Sequence, residues 1–159
     1  MRRDHAHRRP PVQEGAATPV KYLLDTSTVS FLMRGEPSVR DRLTSHRRTD
    51  VFMCQPVIAE IEFGPARLAR SARRTRLRAR FDLFLEELAC APWTDEVSGA
   101  FGAPEADLEP RGVRLEDFDV AVAAHALAIG ATVVTDNVKH MSRVRGLAVE
   151  DWRRPHTEA

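Results

Sequence analysis

The sequence predicts an α/β fold, a single domain with a mostly parallel central sheet flanked by helices on both faces. Three observations carry that prediction. Val20–Leu24, Val51–Cys54 and Ala131–Val134 are short apolar runs without polar alternation, the pattern of strands buried on both faces. Longer stretches with helical spacing alternate with them, as strand–helix–strand units require. The 159 residues suit one domain around one core.

In chain order, residues 1–19 hold Pro10, Pro11 and Pro19, few apolar groups and no periodicity. They read as a flexible basic leader, with the domain over 20–153 and a short tail at 154–159. After the Val20–Leu24 strand, Thr28–Met33 reads as a helix closed by Gly35 and Pro37. Ser38 is the expected N-cap of a helix running to about His46. Val51–Cys54 follows as a strand. Residues 56–88 read as helical, broken at Gly64-Pro65. In the later half Leu77, Phe81, Phe84, Leu85 and Leu88 form one apolar stripe. Ala89–Trp93 is expected to be a short strand. The stretch after Asp95 has helical character, but Gly102, Pro104 and Pro110 interrupt it. Val120, Ala123, Ala124, Leu127 and Ala128 make one helix face that stops at Gly130. Ala131–Val134 and Leu147–Val149 complete the strands.

A content of 43% hydrophobic and 30% charged residues is that of a globular chain rather than a disordered one. No apolar run approaches the roughly 20 residues of a membrane span, and the basic N-terminus lacks the apolar middle of a secretory signal. Cys54 and Cys90, both in apolar settings, read as reduced, buried thiols of a cytoplasmic protein. The net charge of +1 conceals an asymmetry. Arg67, Arg70, Arg73, Arg74, Arg76, Arg78 and Arg80 crowd one segment, while Glu105, Asp107, Glu109, Glu116, Asp117 and Asp119 crowd another. Such a division suits an anionic partner held on one face while cations occupy another. A solvated, Arg-rich helix face accounts for the arginines as well.

In an open parallel sheet, ligands sit beyond the carboxyl ends of the strands. Asp25 lies at one such end, and Asp136 and Asn137 at another. Asp119 precedes the Val120–Ile129 helix, and Glu60 lies about one and a half turns into the helix after Val51–Cys54. Each has a plainer reading alone: Asp25 as a helix cap, Asp119 as a partner of the helix dipole, Asp136-Asn137 as a turn, Glu60 as a solvated residue. Together they repel one another, and a hard divalent cation removes that cost. Such a cation orients a water and neutralises charge on a phosphodiester, and flanking arginines would hold the polyanion. No His/Cys spacing suggests zinc, and no Ser, His and acid set suggests a hydrolase triad. No Gly-rich loop suggests a nucleotide site. His125 reads as packed or half exposed, and Trp93 and Trp152 as packing anchors.

The segments "YLLDTSTVSFLMRG", "VIAEIEFG", "FDVAVAAHALAIGATVVTDN" and "RVRGLAVEDW" occur in that order from about Val20 to Trp152. In this the chain resembles the PIN-domain ribonucleases, and more narrowly the VapC-type toxins of bacterial toxin–antitoxin pairs. The resemblance implies a Mg²⁺- or Mn²⁺-dependent endoribonuclease of the bacterial cytoplasm, acting on RNA of the transfer or ribosomal class. It implies a homodimer held inactive by a cognate antitoxin, with operator DNA bound only through that antitoxin. By position Asp25, Glu60 and Asp119 are the metal-binding acids, and Asp136 or Asn137 the fourth corner. Thr26 and Ser27 match the small polar residues after the first acid, and Thr135 a hydroxyl residue at the same edge. Two departures stand out: Pro104 and Pro110 fall in a segment that is usually one clean helix, and Glu116 stands where a Gly often does. Two rivals remain, a PIN-like module that grips RNA without cutting it, and a receiver-like phospho-acceptor. The latter needs a Lys at a late strand end, whereas Lys139 follows the Asp136-Asn137 turn.

Overall fold

The computed structural model describes residues 18–155, so the expected leader lies outside the described residues except for its last two, and the tail except for its first two. The described chain runs β1 (Lys21–Leu24), α1 (Thr26–Arg34), α2 (Pro37–Ser45), β2 (Val51–Cys54), α3 (Gln55–Ala66), α4 (Ala72–Glu87) and β3 (Ala89–Ala91). It continues through α5 (Asp95–Leu108), α6 (Asp117–Ile129), β4 (Ala131–Val134), α7 (Val138–Met141) and β5 (Val149–Glu150). The five strands lie in the order β3-β2-β1-β4-β5, and every pairing is parallel. The expected α/β architecture is present.

The core is the sheet's own apolar runs, Leu23, Leu24, Val51, Met53, Val133 and Val134, covered by Val29, Phe81 and Val120 from the helices. β1 and β4 are neighbours, yet the chain leaves β1 toward β2 and leaves β4 toward β5. Because the connections diverge there, a crevice opens beyond the carboxyl ends of these two strands.

Several boundaries differ from expectation, each for a local reason. α1 begins at Thr26, two residues early, because Asp25 caps it. Pro37 opens α2 instead of closing α1; its missing N–H is no loss in a first turn, and Glu36 holds the N-cap position in place of Ser38. The break in the long helical stretch falls at 67–71, not at Gly64-Pro65, where Ser71 restarts the helix by accepting the Arg74 N–H at 3.1 Å. α5 runs unbroken through Pro104 and is capped by Thr94, and Pro110 opens a short 3₁₀ turn. α6 starts at Asp117, so Asp119 lies in its first turn instead of ahead of it. β3 stops at Ala91, and β5 is Val149–Glu150 instead of Leu147–Val149.

Side chains bring three further outcomes. Cys54 is buried, and burial pushes its thiol up to about 12, but Cys90 is exposed on the edge strand β3. His125 is fully buried, its Nδ1–H donating to the Ala121 carbonyl at 2.7 Å. Trp152 is a buried anchor, whereas Trp93 is 46% exposed, its ring against Phe101 and His125 and its indole N–H donating to the Ser98 hydroxyl.

Candidate active site

The site is built where the two diverging strands end. Asp25 follows β1 directly and is only 6% exposed. Its Oδ1 accepts the Thr26 N–H at 2.7 Å, and its Oδ2 accepts the Thr135 hydroxyl, also at 2.7 Å. Asp25 is therefore a helix cap as well as the floor of the crevice. Thr135, just past β4 and wholly buried, also accepts the Asn137 N–H at 3.1 Å. The Val134 carbonyl takes two donors from the other strand's end, the Asp25 N–H at 3.0 Å and the Thr28 hydroxyl at 2.7 Å. Thr28 was not anticipated from sequence, because a threonine in a helix gives no local sign of a partner on another strand.

The other acids reach the same place from separate elements. Glu60, half-buried on α3, accepts the Thr26 hydroxyl at 2.7 Å. Asp119, half-buried in the first turn of α6, accepts the Asn137 side-chain amide at 3.3 Å. Asn137, the N-cap residue of α7, in turn accepts a hydrogen bond from the His140 ring at 2.6 Å, a contact with no sign in the sequence. Asp136 is exposed; its N–H donates to the Ser27 hydroxyl at 3.2 Å, which turns Asn137 inward.

The electrostatics record the crowding. Burial pushes the Asp25 carboxyl up to about 6, against the pull of the Thr135 and Thr26 hydrogen bonds, and the charges of Asp119 and Glu60 add to the rise. Burial and the Glu60 charge raise Asp119 too, with Asn137 opposing and Glu116 and Asp136 reinforcing. Four elements thus put carboxylates within electrostatic reach of one another, the arrangement a hard cation would relieve. Among the described residues no three carboxylate, imidazole or thiol groups close on a single point. The all-oxygen donor set nevertheless suits Mg²⁺, which keeps several waters and needs only one or two direct carboxylates.

Residues 22–147 match the model of the PIN domain. The chain belongs to the PIN domain family. Among its PIN-domain relatives, Ribonuclease VapC2 of Rickettsia felis is 26% identical, over 82% of this chain and 97% of that protein. The tRNA(fMet)-specific endonuclease VapC of Salmonella typhimurium is 25% identical, over 84% of this chain and 98% of its own length. The PIN fold of VapBC2 from Rickettsia felis, solved bound to a DNA fragment from its promoter, superposes with a TM-score of 0.75 at 25% identity, covering 84% of this chain and 99% of that one. This PIN-domain chain is homologous to VapC ribonucleases across nearly their whole length.

Proposed function

We propose that the chain is a divalent-metal-dependent endoribonuclease, the toxin of a toxin–antitoxin pair. One observation supports this above the rest: a buried Asp25, its carboxyl raised to about 6, lies within electrostatic reach of Glu60 and Asp119 from separate helices at the sheet's point of divergence. Asp25, Glu60 and Asp119 would hold Mg²⁺ or Mn²⁺, with Asn137 fixing Asp119 and the exposed Asp136 adding charge at the mouth. When bound, the cation supplies positive charge beside the scissile phosphate and makes a neighbouring water more acidic.

The chain's own residues do the positioning. The Thr135 hydroxyl and the Thr26 N–H hold both oxygens of Asp25, and the Thr26 side chain holds Glu60, so one threonine orients two acids. Ser27 sets the turn that presents Asn137. No side chain is required as a covalent nucleophile, and the buried Cys54 thiol is poorly suited to be one. The substrate is RNA of the transfer or ribosomal class. A cognate antitoxin, a homodimer and operator DNA bound through the antitoxin complete the reading, supported by relatives solved as toxin–antitoxin complexes on DNA.

Cleavage of total bacterial RNA by the purified chain tests it, with Mg²⁺ or with EDTA, beside Asp25→Ala. Discrete fragments that need both the metal and Asp25 are expected. Equal RNA binding with no cleavage in any lane would replace the nuclease with a silent RNA-binding module.

A further inference from the structure

Of the seven arginines at residues 67–80, three are engaged within the fold and two line a groove. Arg78 is spent on Glu62 and Asp82. Arg80 donates to the Met33 carbonyl at 2.6 Å and Arg74 to the Leu68 carbonyl at 3.1 Å. Arg67 and Arg73 face elsewhere. With Arg34 of α1 they line a groove between α1, α3 and α4, whose lining also includes Thr26 and Glu60 of the candidate site.

None of these three has an acidic partner among the described residues, and two are held without one. The Arg34 guanidinium lies 4.9 Å from the Phe31 ring centroid and the Arg67 guanidinium 5.4 Å from that of Phe63. A cation resting on an aromatic face is fixed in place yet keeps its charge and its N–H donors, which a salt bridge would use up. The Phe63 ring is also 63% exposed, leaving aromatic surface open to solvent beside the cations. Unneutralised arginines interleaved with an open aromatic ring are the means by which proteins hold single-stranded nucleic acid.

We infer that this groove is the path of single-stranded RNA to the carboxylates, with Arg34, Arg67 and Arg73 taking its phosphates and Phe63 stacking a base. The inference rests on the ribonuclease reading and adds the substrate's route to it. A peptide would also fill an apolar groove, but three guanidinium groups without an acidic partner among the described residues, in a groove that shares Glu60 and Thr26 with the site, match a polyanion that must reach it.

The test is fluorescence anisotropy of a labelled single-stranded oligoribonucleotide of about 12 nucleotides on the full chain carrying Asp25→Asn, through a salt series. Arg34→Ala, Arg67→Ala and Arg73→Ala should each weaken binding about tenfold and lower the slope of log K against log salt by about 0.7. Phe63→Ala should weaken binding at unchanged slope and Phe63→Tyr should restore it, while Arg78→Ala leaves both unchanged. Unaltered slopes in all three groove variants, while the wild-type chain still cleaves RNA, would overturn the path and leave the nuclease standing. Intact RNA affinity in variants that lose the antitoxin would give the groove to a protein partner instead. A wild-type chain that neither binds nor cuts RNA would overturn both readings.

Discussion

Asp25 is buried enough to resist ionisation, yet it is held by two donors that favour the ionised form. Burial wins, and the carboxyl is raised to about 6. An acid whose folded pKa lies above its unfolded one binds more protons in the folded state, so stability is lost as pH rises. For Asp25 that loss is spread between about pH 4, where the unfolded chain titrates, and about 6. In the metal-free chain Asp25→Asn should therefore stabilise by roughly 1–3 kcal/mol at pH 7, the gain vanishing below about pH 4. Urea unfolding of both chains in EDTA across that range checks it; a gain that grows toward acid would refute the assignment. At this scale the gathering of Asp25, Glu60 and Asp119 in the candidate site could be read from the chain. Asp25 and Glu60 interrupt apolar runs where a lone carboxylate is costly. That Asp136 is exposed while the Asn137 amide reaches Asp119 could not be read, because Ser27, far away in the chain, accepts the Asp136 N–H.

At the scale of the element, a proline inside a helix matters less here than the side chain that caps it. Pro104 sits inside α5 without ending it, because α5 packs along α6 and tertiary contact outweighs one lost backbone hydrogen bond. Ser71 and Thr94, the residues that start α4 and α5, are ordinary capping side chains whose N–H partners lie three residues on. The role of Arg80 was hidden for another reason: its partner is the Met33 carbonyl at the carboxyl end of α1, and no pattern within α4 points there. A cation at a helix carboxyl end satisfies a carbonyl and meets the helix dipole. Arg80→Ala should cost about 1 kcal/mol in urea unfolding with RNA affinity and its salt slope unchanged. A reduced slope would move Arg80 into the groove set.

Over the whole molecule, strand order was the decisive feature, and it could be partly anticipated. Apolar strands alternating with helices imply a parallel sheet, but it is the adjacency of β1 and β4 that brings Asp25 and Asn137 to the same crevice. Repulsion among acids from four elements is a cost borne by the entire fold, so a cation that relieves it should stabilise the fold. At a hundredfold excess over its Kd, Mg²⁺ should add about 2.7 kcal/mol, raising the Tm by several degrees, and Asp25→Asn should abolish the rise. An equal rise in both chains would place the cation elsewhere. The Val134 carbonyl, gripped by both the Asp25 N–H and the Thr28 hydroxyl, has a mechanical consequence. It ties the ends of β1 and β4 together at the floor of the crevice, so Asp25 and Thr135 keep their separation for as long as the sheet itself holds.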